Sequence, residues 1–422
     1  MYNTNNILKG ELALEGDKSV SHRALMIASL IKDDSIIYNL SACKDVLTTM
    51  KCLQQCGISI KHHFMKFGFK IKGGTLSQPQ SILNCENSGS TARMLIGLLA
   101  GQGISASFSG DDSLTKRPMR RIINPLLRMG IKIKSHNNHL PIAINSNISR
   151  PLNYSEKTKS AQVKSSLMFA ALGSTQYSHI AYNQNTRDHT ERALTHINCH
   201  LKINERIAIK KTSFKKGFKI QIPGDISNAA FIIAGAILIK DSDVIIKNVL
   251  YNKTRNGFIE LLIQIGAEIK IANIKNTLGG EKACDLHVRY SGKLNAKNIK
   301  IDNIISLIDE IPILSVLATQ FNGSITISNA EELKFKETDR ITAIYQNLLQ
   351  MGAQITLTKN GFRIVGGKRL YNTSINHYDD HRIAMSFDIL NLYRNKKFAN
   401  YSKNLAKISF PEFQQSLKGL LT

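Results

Sequence analysis

Apolar helix-like stretches recur six times along this 422-residue chain at roughly 70-residue intervals, and each opens with a small cluster of hydroxyl, amide or charged residues. In the first half they are Ser21–Leu30 after Gly16-Asp17-Lys18-Ser19, Ala92–Ala100 after Asn87-Ser88-Gly89-Ser90-Thr91, and Val163–Leu172 after Ser160-Ala161-Gln162. In the second half they are Asn228–Ile239 after Gly224-Asp225-Ile226-Ser227, Ile311–Thr319 after Asp309-Glu310, and Ile383–Leu392 after Asp379-Asp380-His381-Arg382. A helix N-terminus carries free N–H groups and about half a positive charge, so polar residues gathered there make an anion site. Six such ends can build one large site.

A second element follows with the same period. Leu53–Ile60, Leu127–Ile133, Leu262–Ile269 and Leu349–Ile355 each read as the end of an amphipathic helix, a glycine and an alternating strand. Glycine suits the left-handed C′ position, and alternation gives a strand with one buried face. The third copy, Leu194–Ile203, lacks the glycine, and the sixth, Phe413–Leu421, ends the sequence. General α/β punctuation also produces such a pattern, but four close copies at similar spacing favour a true repeat.

The length suggests two domains with room for three repeats each, the second beginning near Pro223-Gly224-Asp225. Hydrophobic content of 42% without an apolar run near the length of a membrane span points to a soluble globular protein. No basic n-region followed by an apolar h-region opens the sequence, so a cytoplasmic location is expected. Cys43, Cys52, Cys56, Cys85, Cys199 and Cys284 show neither CxxC pairing nor metal-site spacing, so no metal or disulfide is expected. No Walker motif or dinucleotide glycine fingerprint supports a cofactor.

The net charge of +25 would attract nucleic acid, anionic lipid or small acidic metabolites. With no tryptophan, an aromatic content of 7% and no arginine-rich arm, nucleic acid is the weaker choice. Lys18, Ser19 and Arg23 share one face of a helix mouth and could clamp a phosphate or carboxylate, or simply cap and solvate the helix. Asn87–Arg93 combines donors with Gly89, which permits close approach of a ligand to the backbone. Arg117 is restrained by Pro118, whose plainer use is position N1 of the next helix. Lys336-Glu337-Thr338-Asp339-Arg340 reads as a strand-to-helix junction packing both charge signs. Among cations a carboxylate stays ionised, so an acid role for Glu337 needs bound anions. Asp309 is either a reactive carboxylate or a helix cap, and His381 either a proton carrier or a partnered histidine.

In this order the clusters GDKSVSHRA, ENSGSTARM, GDDSLTKRPM, SAQVKSS, TRDHTE, PGDISNAAF, IDEIPILSV, KFKETDRI and DDHRIAMSF closely resemble the bacterial 5-enolpyruvylshikimate-3-phosphate synthases over nearly the whole chain. The resemblance implies an α/β (α+β) fold: a two-lobed inside-out α/β barrel of six βαβαββ units, three per lobe, that closes on a hinge. Residues 18–223 would form one lobe, and 1–17 with 224–422 the other. It implies that Lys18, Ser19, Arg23, Ser160, Ala161, Gln162, Arg187, Asp309 and Lys336 contact shikimate 3-phosphate. Phosphoenolpyruvate would meet Lys18, Asn87, Gly89, Arg117, Gln162, Arg340 and Arg382. Glu337 would protonate the phosphoenolpyruvate methylene carbon, Asp309 would accept the 5-hydroxyl proton, and Lys18 would assist. No cofactor or metal, no nucleic-acid or membrane partner, and a monomer are implied.

The chain departs from that pattern in places. Ile408 stands three residues before Pro411 where many relatives have lysine, which leaves Lys407 without a clear role. Ser160-Ala161-Gln162 resembles the subgroup containing glyphosate-tolerant enzymes, but tolerance there goes with alanine in the asparagine-glycine loop. Gly89 therefore predicts sensitivity. The alternatives are the enolpyruvyl transferase acting on UDP-N-acetylglucosamine, which typically has Lys-Asn in the first motif and a loop cysteine, and a non-catalytic anion- or nucleic-acid-binding repeat protein. Lys18-Ser19 and the cysteine-free stretch Gly110–Met119 weigh against the first.

Overall fold

The computed structural model describes residues 6–63, 68–74, 76–146, 150–155, 159–394 and 400–422. The chain divides into two compact units. The N-terminal unit is Glu15–Pro223 together with Asn276–Glu281, and the C-terminal unit is Met1–Leu14, Gly224–Lys275 and Lys282–Thr422.

Each of the six apolar stretches is a helix: α1 (Lys18–Ser29), α2 (Gly89–Gly101), α3 (Ala161–Ala171), α4 (Ile226–Leu238), α5 (Ile311–Ala318) and α6 (His381–Tyr393). Most begin several residues before the apolar run, because the polar cluster forms the first turn. Asp17, Ser88, Ser160, Asp225 and Asp380 are N-caps whose side chains accept backbone N–H bonds from that turn. Helices α4 and α5 are buried along their whole length, as expected for helices apolar all round. In the N-terminal unit α2 packs on both α1 and α3, and in the C-terminal unit α4, α5 and α6 pack on one another.

The outer layer repeats one topology. Among the described residues there are five four-stranded sheets. In the sheet of Leu83–Asn84, Ala106–Ser109, His139–Asn145 and Lys132–His136, the first pair is parallel and the others antiparallel. A parallel pair needs a crossover, here α2, and the last two strands form a hairpin. The sheet of Ile299–Ile301, Ser324–Ile327, Gly361–Val365 and Gln354–Thr358 repeats this around α5. The first sheet of each unit borrows its opening strand from a distant part of the chain. Lys219–Gln221 pairs in parallel with Asp34–Tyr38, and Lys9–Ala13 with Asp243–Leu250. The sixth repeat supplies α6 and the helix Phe413–Leu420, without a further four-stranded sheet among the described residues.

The glycines after the outer helices take the expected conformation: Gly57, Gly130, Gly266 and Gly352 all have φ between 79° and 94°. In the third copy Asn198, at φ 55°, takes that place, a role asparagine can fill because its short polar side chain tolerates the left-handed region. A different demand falls on Gly97, where α2 touches α3: a Cβ there would lie 2.2 Å from the Ser166 carbonyl oxygen.

These two glycines separate strain from clash. Gly266→Ala meets nothing within 4 Å and bears only the positive φ, so about 1–2 kcal/mol of stability is lost. Gly97→Ala drives a methyl into backbone of a neighbouring helix and shows a clearly larger drop in urea midpoint. Equal losses would contradict this assignment of roles.

Candidate functional site

In the N-terminal unit the candidate residues gather at the N-terminal ends of α1, α2 and α3. Lys18, the first residue of α1, places Nζ 2.9 Å from Asp45 Oδ2, a buried carboxylate on the adjoining outer helix Lys44–Gln55. Arg23, only 3% exposed, lies one turn further along. It donates from Nη1 to the Ser19 carbonyl, from Nε to Thr190 Oγ1 and from Nη2 to Ser165 Oγ, each at 2.8 Å. Its guanidinium is thereby fixed by three segments of one unit. Arg187 Nη1 lies 3.5 Å from Ser19 Oγ.

The mouths of α2 and α3 are tied to each other. Gln162 donates to Ser90 Oγ at 2.9 Å and accepts from Arg93 Nη1 at 2.8 Å. Ser160 caps α3 and Ala161 is its first residue. Arg117 donates from Nη2 to Asn87 Oδ1 at 2.9 Å and to Ser113 Oγ at 3.2 Å, and Asn87 donates in turn to Asp111 at 2.8 Å. Pro118 does not occupy N1: Met119 caps the helix Arg120–Arg128, so the proline lies outside it, between that helix and the short helix Asp112–Thr115 with its C-cap Lys116. A Cβ on Gly89 would come within 2.7 Å of Arg93 Nη1 and 3.3 Å of Arg117 Nη1, so this glycine leaves room for two guanidiniums.

The C-terminal unit holds the carboxylates. Asp309 is not a helix cap; Glu310 occupies that position without a side-chain cap bond. Asp309 Oδ1 instead lies 3.0 Å from Lys336 Nζ and 3.6 Å from Arg340 Nη1, and its carbonyl accepts from Arg382 Nη1 at 3.2 Å. The charged cluster follows the 3-10 turn Glu331–Phe335 rather than a strand, and Arg340 opens the helix Arg340–Gln350 behind its N-cap Asp339. Arg340 is 1% exposed and donates to Asp380 from Nε at 2.8 Å and to Glu337 Oε2 from Nη2 at 2.8 Å. Burial opposes its charge, but Asp380, Glu337 and Asp309 outweigh that and hold its pKa above the ordinary arginine value. Asp380 also caps α6, so one carboxylate fixes both a helix start and the guanidinium. His381 is fully buried in the first turn of α6, away from solvent.

Sequence reading placed these residues at helix mouths but missed their supports. Asp45 lies in none of the clusters, and Thr190, Ser165 and Glu310, though inside them, carry no role in that reading. Glu310 binds Ser227 Oγ, which also accepts from the buried Arg255 Nη2 at 3.0 Å. Lys407 lies in the 3-10 turn Ala406–Ile408. The six cysteines are free, and no group of metal-binding side chains occurs among the described residues.

Residues 2–417 match the family EPSP synthase (3-phosphoshikimate 1-carboxyvinyltransferase). The chain belongs to the EPSP synthase family. It is 37% identical to the 3-phosphoshikimate 1-carboxyvinyltransferase of Persephonella marina and 39% identical to that of Endomicrobium trichonymphae, in each case over 98% of both chains. Among solved structures, an EPSP synthase from Acinetobacter baumannii matches with a TM-score of 0.84 and 32% identity, covering 99% of this chain and 96% of that one. The enolpyruvyl transferase NikO from Streptomyces tendae matches at a TM-score of 0.77 with 11% identity, which speaks to the fold alone. The fold is the inside-out enolpyruvyl transferase fold that the family resemblance implied.

His22, between Lys18 and Arg23 on α1, is fully buried and bonds Thr49 Oγ1 through Nδ1 at 2.7 Å. Burial, and then the charges of Lys18 and Arg23, hold its pKa well below the ordinary histidine value. The unfolded chain therefore binds this proton more readily, and stability falls as pH drops below the ordinary histidine range. Urea midpoints between pH 7 and pH 5 will fall more for the native chain than for His22→Gln; parallel curves would contradict it.

Proposed function

We propose that this chain transfers the enolpyruvyl group of phosphoenolpyruvate to the 5-hydroxyl of shikimate 3-phosphate and releases phosphate. The observation that carries the reading is the carboxylate pair Asp309 and Glu337, both facing the buried Arg340, within a chain of the EPSP synthase family. Lys18, Ser19, Arg23, Ser160, Ala161, Gln162, Arg187, Asp309 and Lys336 bind shikimate 3-phosphate. Lys18, Asn87, Gly89, Arg117, Gln162, Arg340 and Arg382 bind phosphoenolpyruvate. Both substrates carry a carboxylate and a phosphate, and bringing them together is strongly repulsive unless cations face them.

Glu337 gives its proton to the methylene carbon of phosphoenolpyruvate, which makes C2 electrophilic. Asp309 takes the proton of the 5-hydroxyl as its oxygen bonds to C2, and a tetrahedral ketal results. The C2–O bond to phosphate then breaks with the help of Lys18, the methyl group returns a proton to Glu337, and the enol ether forms. Arg340 stabilises Glu337 in its ionised state, so the bound anions are what permit Glu337 to carry a proton. The protein acts as a cytoplasmic monomer on these two small acids, with neither nucleic acid nor membrane as a partner. No helix among the described residues is long and apolar enough to cross a membrane. The reading with UDP-N-acetylglucosamine is not favoured by the relatives described above.

Phosphate release is expected only when phosphoenolpyruvate and shikimate 3-phosphate are present together, and not when UDP-N-acetylglucosamine replaces the second. Glu337→Gln and Asp309→Asn should each lower kcat by about a hundredfold or more. Release from phosphoenolpyruvate alone, or unchanged turnover in both variants, overturns the assignment. Gly89→Ala should raise KM for phosphoenolpyruvate and weaken inhibition by glyphosate, because the new methyl displaces Arg93 and Arg117. Full native turnover at high glyphosate with unimpaired phosphoenolpyruvate binding would refute the role of Gly89.

A further inference from the structure

One charged pair lies wholly inside the N-terminal unit and touches none of the atoms assigned to substrate. Lys164 on α3 and Glu191 on the helix His189–His196 are 1% and 3% exposed, with Nζ and Oε1 2.5 Å apart. Lys164 follows Gln162 by two residues, about 200° around the helix. Gln162 accordingly bonds Ser90 and Arg93 on α2, while Lys164 points to the other side. The ammonium there also donates to the carbonyl oxygen of Thr186 at 3.4 Å and lies 4.7 Å from the centre of the Tyr182 ring.

Stability alone gives little reason to keep such a pair, since apolar residues of similar volume often serve as well or better. Burial pushes the Lys164 pKa down, and the neighbouring Glu191 carboxylate opposes that shift. The covalent neighbours of the pair show what it holds. Thr186 directly precedes Arg187, whose Nη1 faces Ser19 Oγ. Glu191 directly follows Thr190, whose hydroxyl accepts from Arg23 Nε and bonds Ser165 Oγ at 2.7 Å. One ion pair thus lies a single residue from the anchors of two guanidiniums on the same unit.

We infer that Lys164 and Glu191 are positioning residues that fix the segment from Thr186 to Thr190, and through it set Arg187 and Arg23 for the phosphate of the hydroxy-acid substrate. This rests on the reading of Arg187 and Arg23 as contacts to shikimate 3-phosphate. The effect is expected to fall mainly on one substrate: Arg23 and Arg187 are assigned to shikimate 3-phosphate alone, whereas Lys18 and Gln162 are assigned to both.

The test uses the full chain and steady-state kinetics with each substrate varied in turn, alongside urea midpoints. Lys164→Met leaves a buried carboxylate without its ammonium and is strongly destabilising, so the decisive variant is the double substitution Lys164→Met with Glu191→Met. It should fold with a midpoint near the native one and raise KM for shikimate 3-phosphate about tenfold, the effect of losing one hydrogen bond to a charged group. KM for phosphoenolpyruvate and kcat should stay within about twofold. A native KM for shikimate 3-phosphate in the folded double variant, or an equal rise for both substrates, overturns the inference. Arg187→Ala separates the two levels. If it raises KM for shikimate 3-phosphate and the double variant does not, the positioning role fails while the site reading stands; if it leaves that KM unchanged, the site reading itself fails.

Discussion

A guanidinium with almost no exposure to water, facing carboxylates on several sides, is the constraint on which the C-terminal unit depends. Arg340 cannot lose its proton, and burying it without partners would cost several kcal/mol. Asp380, Glu337 and Asp309 supply the compensation, from the mouth of α6, the turn before Arg340 and the mouth of α5. The same ion that solves a folding problem therefore brings two helix ends and the loop between them into register. Lys336 and Arg382 then join Asp309, so each proposed proton carrier sits in a field of fixed positive charge.

The N-terminal unit meets a related demand with mostly neutral groups. Arg23 is held by two hydroxyls and a carbonyl, and Arg117 by an amide and a hydroxyl. Hydroxyls and amides orient a cation through directed hydrogen bonds. Lys18 has a carboxylate partner in Asp45, and a substrate phosphate would share or displace that contact.

The repeat was legible because it obeys two rules that act within a few residues: apolar residues all round a buried helix, and a glycine at the C′ position. Gly57, Gly130, Gly266 and Gly352 follow the second rule, and Asn198 shows that asparagine can stand in when the glycine is missing. The borrowed strands were not legible, since pairing of Lys219–Gln221 with Asp34–Tyr38 spans most of a unit and leaves no local mark. The same limit applies to the site. Helix mouths announce Lys18, Asn87 and Arg382 by their clusters, whereas the contacts of Asp45, Thr190 and Glu191 become visible only once distant helices meet. Asp309 had two local readings, cap or reactive carboxylate, and its neighbour Glu310 at the cap position decides against the first.

The central claim is that Glu337, poised by Arg340 beside Asp309, carries a proton to carbon and takes one back. Solvent deuterium exchange followed by proton NMR reads that step directly. With both substrates in heavy water, the native chain should place deuterium in the methylene group of the enolpyruvyl product and of recovered phosphoenolpyruvate, because the ketal methyl loses any of its three hydrogens. The Glu337→Gln chain should place none while still binding both acids. Deuterium appearing in the methylene group at the native rate without this carboxylate would contradict the account.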